Sequence, residues 1–364
     1  MKQKTIILIQ NVHFPQQGAI DIFYYAKYLS QDPNLRIKVI VAQIDETLAH
    51  PDLELIALGK TNYLVFVRKA FALIKKIHLQ ESIDYVYFFA QHPFSVLLQG
   101  MVKYLLKIPT VYDVVSGPIG KGFIPWIAKW TIKIWVSLSD RYVVLDQWLI
   151  TKLRLDKKKS HEIVAMGYDP DFFYEKKWLN LFEKKGDEII FCYIGTLNTE
   201  RNLDIFIQAF IQNLAQFPSI QLHFVGYGSG EEQLKWLSQQ YLGKNIFFHG
   251  KQEHAKIPDF INSADIMISY VPKVPYFEYQ PPTKLIEYLA CNKPSLATNT
   301  IAQEELLKGY EFLLHWDDVE STSKKIRESI DQLDLRKSKN YTMAVNDYRR
   351  DLLVERIIAL LDPR

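Results

Sequence analysis

A doubled pattern constrains this chain more than any other feature: strand–helix alternation runs to a polar, lysine-rich stretch and then starts again. In the first run, residues 5–10, 37–42, 85–90, 110–115 and 142–145 are short and rich in Val, Ile and Tyr, and turn or polar residues follow them. That is how strands buried in a parallel sheet read. Between them, residues 19–30, 64–79, 95–107 and 126–138 carry apolar side chains at helical spacing. Residues 175–187, with few β-branched side chains, mark a linker. The second run places strands at 189–194, 221–225, 246–249, 266–269 and 295–297, and helices at 202–215, 231–241, 257–263 and 283–290. Such alternation builds doubly wound α/β sheets, so the fold class is α/β with two Rossmann-like domains. Ligands of open α/β sheets bind at the carboxyl ends of the strands, and the expectation is two such edges facing across a cleft. Residues 341–361 read as one long terminal helix.

Composition agrees with that division. A chain of 364 residues suffices for two domains, each with its own core. With 48% apolar and 23% charged residues, disorder is excluded, and the two cysteines, Cys192 and Cys291, exclude a disulfide scaffold and fit a reducing, cytoplasmic setting. The net charge of +3 hides an asymmetry: up to residue 160 there are 21 Lys+Arg against 12 Asp+Glu, whereas the remainder has 23 against 29. A basic first half points to an anionic surface partner. Residues 5–10 are too short for the apolar region of a signal peptide. The longest apolar stretch, 122–138, is interrupted by Lys129 and Lys133, which argues against a transmembrane span but leaves peripheral attachment at the inner face of a plasma membrane open.

Four segments carry chemistry. In residues 193–210 a strand leads through Gly195 and a polar loop into a helix start, where Arg201 would complete an anion site suited to a diphosphate; a solvated arginine beside Glu200 is the alternative. In residues 222–230, Gly226, Gly228 and Gly230 follow a strand and would let a nucleotide lie close to the backbone, or simply form a tight turn. In residues 281–298, Pro282 opens a helix whose first amides, at Thr283, Lys284 and Leu285, face an anion, and Glu287 one turn on can accept both hydroxyls of a ribose. The Asp169-Pro170-Asp171 triplet superficially matches a D-x-D metal motif, but it follows a glycine turn at a domain boundary rather than a strand within one mixed sheet, and no metal is expected.

Taken in order, these segments resemble the GT-B glycosyltransferases of family 4, which use nucleotide-activated sugars. The resemblance covers a glycine loop at 15–18 with Gly18, the interdomain Gly167-Tyr168-Asp169-Pro170-Asp171-Phe172, the phosphate loop 195–201, the V-G-x-G at 225–228 and the block 282–294. It implies an acceptor-side domain over 1–168, a linker at 169–188, a donor domain over 189–340 and a terminal helix, 341–364, packing back on the first domain. It also implies a donor held by Gly18, Gly195, Thr196, Arg201, Gly226, Gly228, the Thr283–Lys284–Leu285 backbone and Glu287. Two positions depart from the family. Tyr279 stands where a glutamate often contacts the donor sugar, with Glu278 one place earlier, so these two are the donor-sugar candidates; Thr196 stands where an arginine commonly follows the loop glycine, which leaves Arg201 most of the diphosphate charge.

The implied reaction is retaining, metal-independent transfer in which the leaving diphosphate takes the acceptor's proton, so that the protein works by positioning and charge stabilisation. In the first domain, His92, Asp113 and Ser116 lie near strand ends; Asp113 and His92, with Arg201, are the candidate catalytic residues. A carboxylate after the apolar run 110–112 needs a partner or a cleft. Arg68, Lys69, Lys75 and Lys76 share a helix face, and Trp126 and Trp130 interleave with Lys129 and Lys133, a composition of interfacial helices on anionic membranes. The expected partners are a nucleotide-sugar donor (UDP- or GDP-sugar), a saccharide or lipid-linked acceptor and an anionic membrane surface, with no nucleic acid and no cofactor. A nucleotide-sugar epimerase of the same fold, or a degenerate nucleotide-binding scaffold at the membrane, are the alternatives to a transferase of surface polysaccharide or glycolipid synthesis.

Overall fold

A computed structural model describes the chain apart from residues 1–2, 15–19, 45–52, 90–94, 116–122, 178, 275–276, 280–282, 309–312, 315–317 and 362–364. It divides into two compact units, Met1–Met166 with Arg350–Arg364, and Gly167–Arg349. The first unit holds a parallel sheet of β1 (Lys4–Phe14), β2 (Leu35–Ile44), β3 (Glu54–Ala57), β4 (Tyr85–Phe88), β5 (Thr110–Val114), β6 (Arg141–Val144) and β7 (His161–Ile163), in the order β3-β2-β1-β4-β5-β6-β7. The second holds β8 (Ile189–Ile194), β9 (Ile220–Val225), β10 (Ile246–Phe248), β11 (Ile266–Ser269), β12 (Ser295–Thr298) and β13 (Leu313–Leu314), in the order β10-β9-β8-β11-β12-β13. Both sheets are doubly wound, with the order reversing beside β1 and β8, and ligands of such sheets bind at that reversal. The edge strands β3 and β7 escape a sequence reading because they are short and only partly buried.

The helices of the first unit are α1 (Ile20–Leu29), α2 (Tyr63–Gln80), α3 (Ser95–Leu105), α4 (Phe123–Leu138) and α5 (Gln147–Leu153). Side chains alternate across the strands, so Ile7 and Ile9 point into one core with α2, α3, α4 and α5, while Ile6 and Leu8 point into another with α1. The second unit carries α6 (Leu203–Asn213), α7 (Glu231–Leu237), α8 (Ile257–Ser263), α9 (Thr283–Ala290), α10 (Ile301–Leu306), α11 (Val319–Asp331) and α12 (Leu333–Lys337), and the chain ends in α13 (Arg350–Leu361). Leu353, Val354 and Ile357 of α13 join the core beneath α1.

Two boundaries differ from the sequence expectation. Residues 169–188 are not a free linker: Phe173 and Phe182 are buried in the core of the second unit, the Lys176 amide donates to Asn262 Oδ1 at 2.8 Å, and Lys176 and Lys184 pair with Asp259 and Asp265. Lys176 and Lys184 are anchors rather than solvated charges. The terminal pattern is also not one helix. Thr342–Tyr348 forms 3-10 turns whose Val345 is buried with Tyr341 in the second core; Arg349 is then extended (φ −65°, ψ 128°) and bridges Tyr168 before α13 begins. One amphipathic stretch serves two cores, so it must break between them.

Candidate functional site

The second unit gathers its candidate residues at the carboxyl end of β8. Tyr288 of α9 is fully buried, and its hydroxyl donates to the Ile194 carbonyl at 3.2 Å and accepts from the Ile194 amide at 3.3 Å. Leu285, Ile286 and Leu289 pack in the core beside it, so the first turn of α9 is fixed beside the last residues of β8. The Leu285 side chain is therefore a core residue and only its backbone remains for a ligand, whereas Thr283, Lys284 and Glu287 are half-buried. The first amides of a helix have no intrahelical acceptor and carry partial positive charge, which makes this turn an anion-facing edge.

The glycines have a more local reason than a ligand's approach. A Cβ on Gly195 would lie 2.5 Å from Lys284 Nζ, so this glycine makes room for the ammonium. Gly226, at φ +147°, would bring a Cβ within 1.8 Å of the Gly195 carbonyl oxygen, and one on Gly228 would reach 2.4 Å from the Leu197 carbonyl carbon. The two loops are stitched together: the Gly195 amide donates to the Val225 carbonyl at 2.9 Å, the Leu197 amide to Tyr227 at 2.9 Å, and the Gly230 amide to Leu197 at 2.8 Å. Asn198 Oδ1 accepts from the Ser229 amide at 3.3 Å. Gly226, Gly228 and Gly230 are thus required by loop-on-loop packing, and what they provide for a ligand is a rigid 195–202 loop.

That loop carries Arg201 at the end of a 3-10 turn, Thr199–Arg201. Its guanidinium stacks on Phe277, 4.6 Å from the ring centroid, a partner that the aromatic-rich 276–279 segment signals in sequence only by composition. Arg201 and Lys284 are near enough to act on each other: burial pushes the Lys284 ammonium down to about 8, Glu287 opposes that shift and Arg201 adds to it. Neither cation makes an ion pair within 4.0 Å among the described residues. Two cations held near one another, with no carboxylate within ion-pair distance of either among the described residues and Glu287 only partly offsetting them, are an arrangement that an anion of two or more charges completes. Beneath them, the Tyr193 hydroxyl donates to the Thr196 carbonyl at 3.1 Å, and burial raises its pKa to about 12. Thr196 itself is half-buried. Glu278 and Tyr279 are half-buried on the same segment as Phe277, and the Glu278 carbonyl accepts from the Ala302 amide at 3.0 Å.

The first unit distributes its candidates differently. Asp113 is 5% exposed on β5 and accepts from the Tyr87 hydroxyl at 2.8 Å, so the carboxylate has a partner that its burial demands. His92, Ser116 and Gly18 lie outside the described residues. Arg68, Lys69, Lys75 and Lys76 are all exposed on α2. Trp126 and Trp130 are more than half exposed on α4, with Lys129 and Lys133 half-buried beside them and Lys133 Nζ 5.1 Å from the Trp130 ring centroid. Among the described residues no helix is long and apolar enough to cross a membrane. At the 169–171 triplet, Asp169 is buried and its Oδ1 accepts from the Asp171 amide at 3.0 Å, a local turn at the start of the anchored segment.

Residues 175–342 match the family described as glycosyl transferases group 1, and they include Gly195, Arg201, Lys284 and Glu287. An uncharacterized glycosyltransferase of Methanocaldococcus jannaschii is 28% identical over 158 residues, 43% of this chain and 39% of that relative, so the likeness spans about two fifths of its length. Among solved structures, a sucrose-phosphate synthase of Thermosynechococcus elongatus superposes with a TM-score of 0.77 at 16% identity over 98% of both chains. Anabaena HepE in complex with UDP and glucose does so with a TM-score of 0.75 at 15% identity over the whole of both chains. At such identities the structures share a fold. Residues 175–342 are therefore similar to the group 1 glycosyltransferases, and the chain has the two-sheet α/β fold of the GT-B glycosyltransferases.

Proposed function

We propose that this protein transfers a sugar from a nucleotide-sugar donor to a saccharide or lipid-linked acceptor in surface polysaccharide or glycolipid synthesis. The observation that carries this reading is the convergence of Arg201 and Lys284, neither in an ion pair within 4.0 Å among the described residues, on the loop after β8 and the first turn of α9. A nucleoside diphosphate supplies the missing charge. In this reading its phosphates lie against Arg201, Lys284 and the amides of Thr283 and Leu285, and Glu287 takes the ribose hydroxyls. UDP is the first nucleotide to test, because UDP is bound in the HepE structure. Charge builds on the diphosphate as the sugar leaves, and donors fixed in advance stabilise it without reorganising. Transfer is retaining and uses no metal in this proposal, since the two cations and the helix turn offset the diphosphate charge and the leaving group serves as the base. The acidic second unit then concentrates its working positive charge at one point, and the reaction is cytoplasmic.

Incubation with UDP-, GDP- and ADP-sugars in the presence and absence of candidate acceptors tests this directly. Release of nucleoside diphosphate only when an acceptor is present supports transfer; an epimerised nucleotide sugar with no transfer refutes it. Arg201→Ala and Glu287→Ala lower nucleotide affinity with the fold intact, and wild-type affinity in both would show that the donor lies elsewhere.

A further inference from the structure

The outward faces of α2, α3 and α4 form one surface that the donor site does not use. These three helices lie side by side on the same face of the first sheet, with Phe66, Ile74, Leu98, Val102, Trp135 and Val136 turned inward. A soluble helix with so full an apolar inner face ordinarily turns acidic and basic residues outward. Here, among the described residues, the outer faces carry apolar and cationic side chains with few neutral polar ones and no acidic one. Leu64 and Leu79 of α2, Leu97, Tyr104 and Leu105 of α3, and Trp126, Ile127, Trp130 and Ile134 of α4 make up nine of the nineteen exposed large apolar residues among those described, and their exposures run from 39% to 77%. No Asp or Glu occurs in any of the three helices, which together hold seven Lys and Arg. Only Lys103 of these forms an ion pair, with Asp140 at 2.8 Å, among the described residues. The basic and aromatic side chains of α2 and α4 stand out in sequence, and the fold places α3 between those helices.

We infer that the α2–α3–α4 face docks the protein onto an anionic lipid bilayer, lying in the interface with its Trp, Leu and Ile side chains among the headgroups and acyl ends and its Lys and Arg on lipid phosphates. Charge and apolarity select the occupant together. A nucleic acid or an acidic soluble protein would meet the cations but leave nine large apolar side chains without a use. Exposed indoles beside lysines, as at Trp130 and Lys133, suit the interfacial zone, where one end of a side chain is apolar and the other wet. A lipid-linked acceptor would meet such an enzyme at the bilayer, yet the docking face stands on its own observations and does not depend on the proposed reaction.

The test uses the full chain and sedimentation with large vesicles of phosphatidylcholine, alone or mixed with phosphatidylglycerol. Binding is expected to the mixed vesicles and to weaken with salt. The triple variant Arg68→Glu, Lys75→Glu, Lys76→Glu should lower partitioning by more than a hundredfold, at about fivefold for each cation lost near the surface. A control with the same change in net charge on the second unit, Lys244→Glu, Lys308→Glu, Lys324→Glu, should leave it within a few-fold. Trp126→Ser with Trp130→Ser should weaken binding at high salt, where electrostatic attraction is screened. Circular dichroism checks that each variant is folded. Equal binding to both vesicle types, equal losses in the two triple variants, or retention on heparin without vesicle binding would each overturn the proposal.

Discussion

Replacing Lys284 with methionine should make the protein more stable and less able to bind nucleotide. Methionine keeps most of the side chain's volume and removes the charge. Burial holds the native ammonium at about 8, against 10.5 for a free lysine, so carrying the charge at pH 7 costs the fold about 3 kcal/mol. Lys284 retains partial exposure, which makes that figure an upper bound. In a unit running from residue 167 to 349 the corresponding rise in Tm is about 6–12 °C at most. The pH dependence identifies the cause. Because the folded pKa is lowered, the wild-type fold bears the whole penalty below about pH 8 and sheds it as the lysine loses its proton, so the two proteins should converge in stability towards pH 10.5. Differential scanning calorimetry from pH 7 to 10, with and without UDP, reads both effects, and the stabilisation by UDP should shrink in the variant. A variant less stable than the wild type at pH 7, or a stability gap that does not change with pH, would refute the reasoning; undiminished stabilisation by UDP would remove Lys284 from the proposed site.

Other expectations follow from the same geometry. UDP affinity of the wild type should fall as pH rises above about 8, because a bound diphosphate favours the protonated Lys284; calorimetric titration should show proton uptake on binding there. Gly228→Ala should destabilise by about 2–4 kcal/mol, since its Cβ would meet the Leu197–Asn198 backbone, whereas Gly100→Ala in α3, where nothing lies within 4 Å, should stabilise by up to about 1 kcal/mol; urea unfolding compares the two. His223 is buried, 2.9 Å from His249, and its pKa is pushed down to about 3 by burial and by His249. Its unfolded form takes up a proton that the folded form refuses, so stability should drop by about 1.4 kcal/mol per pH unit from about pH 6 to 4, a slope that His223→Phe should flatten. Lys159 donates to the carbonyls of Val136, Ser137 and Ser139 at the end of α4, and Lys159→Met should cost about 1–3 kcal/mol by leaving them unpaired, as read by thermal unfolding.

Periodicity and order alone determined a good deal of this protein. The two runs of alternation gave two doubly wound units, and several second-unit elements, among them Ile189–Ile194, Ile257–Ser263 and Thr283–Ala290, fall where their apolar spacing and flanking turns place them. The juxtaposition of Gly195, Arg201 and the start of α9 was legible in part, because the proposed anion site at a strand end needs a glycine, a cation and a helix start, which the sequence marks as separate short segments. Properties that depend on a partner distant in sequence were not legible. That Asp113 faces Tyr87, that Arg201 rests on Phe277, and that Lys176 and Lys184 reach Asp259 and Asp265 are decided by which strands and loops pack together. The role of the glycines changed for the same reason: a sequence shows that they can approach something closely, and only the fold shows that Gly226 and Gly228 approach the 195–198 loop and Gly195 the Lys284 ammonium. The terminal stretch shows the limit of a local pattern, since its periodicity continues past Arg349 while the core it is packed against does not. Local pattern sets which face of each segment is buried, and tertiary packing sets what it is buried against, and so which side chains meet at the end of β8.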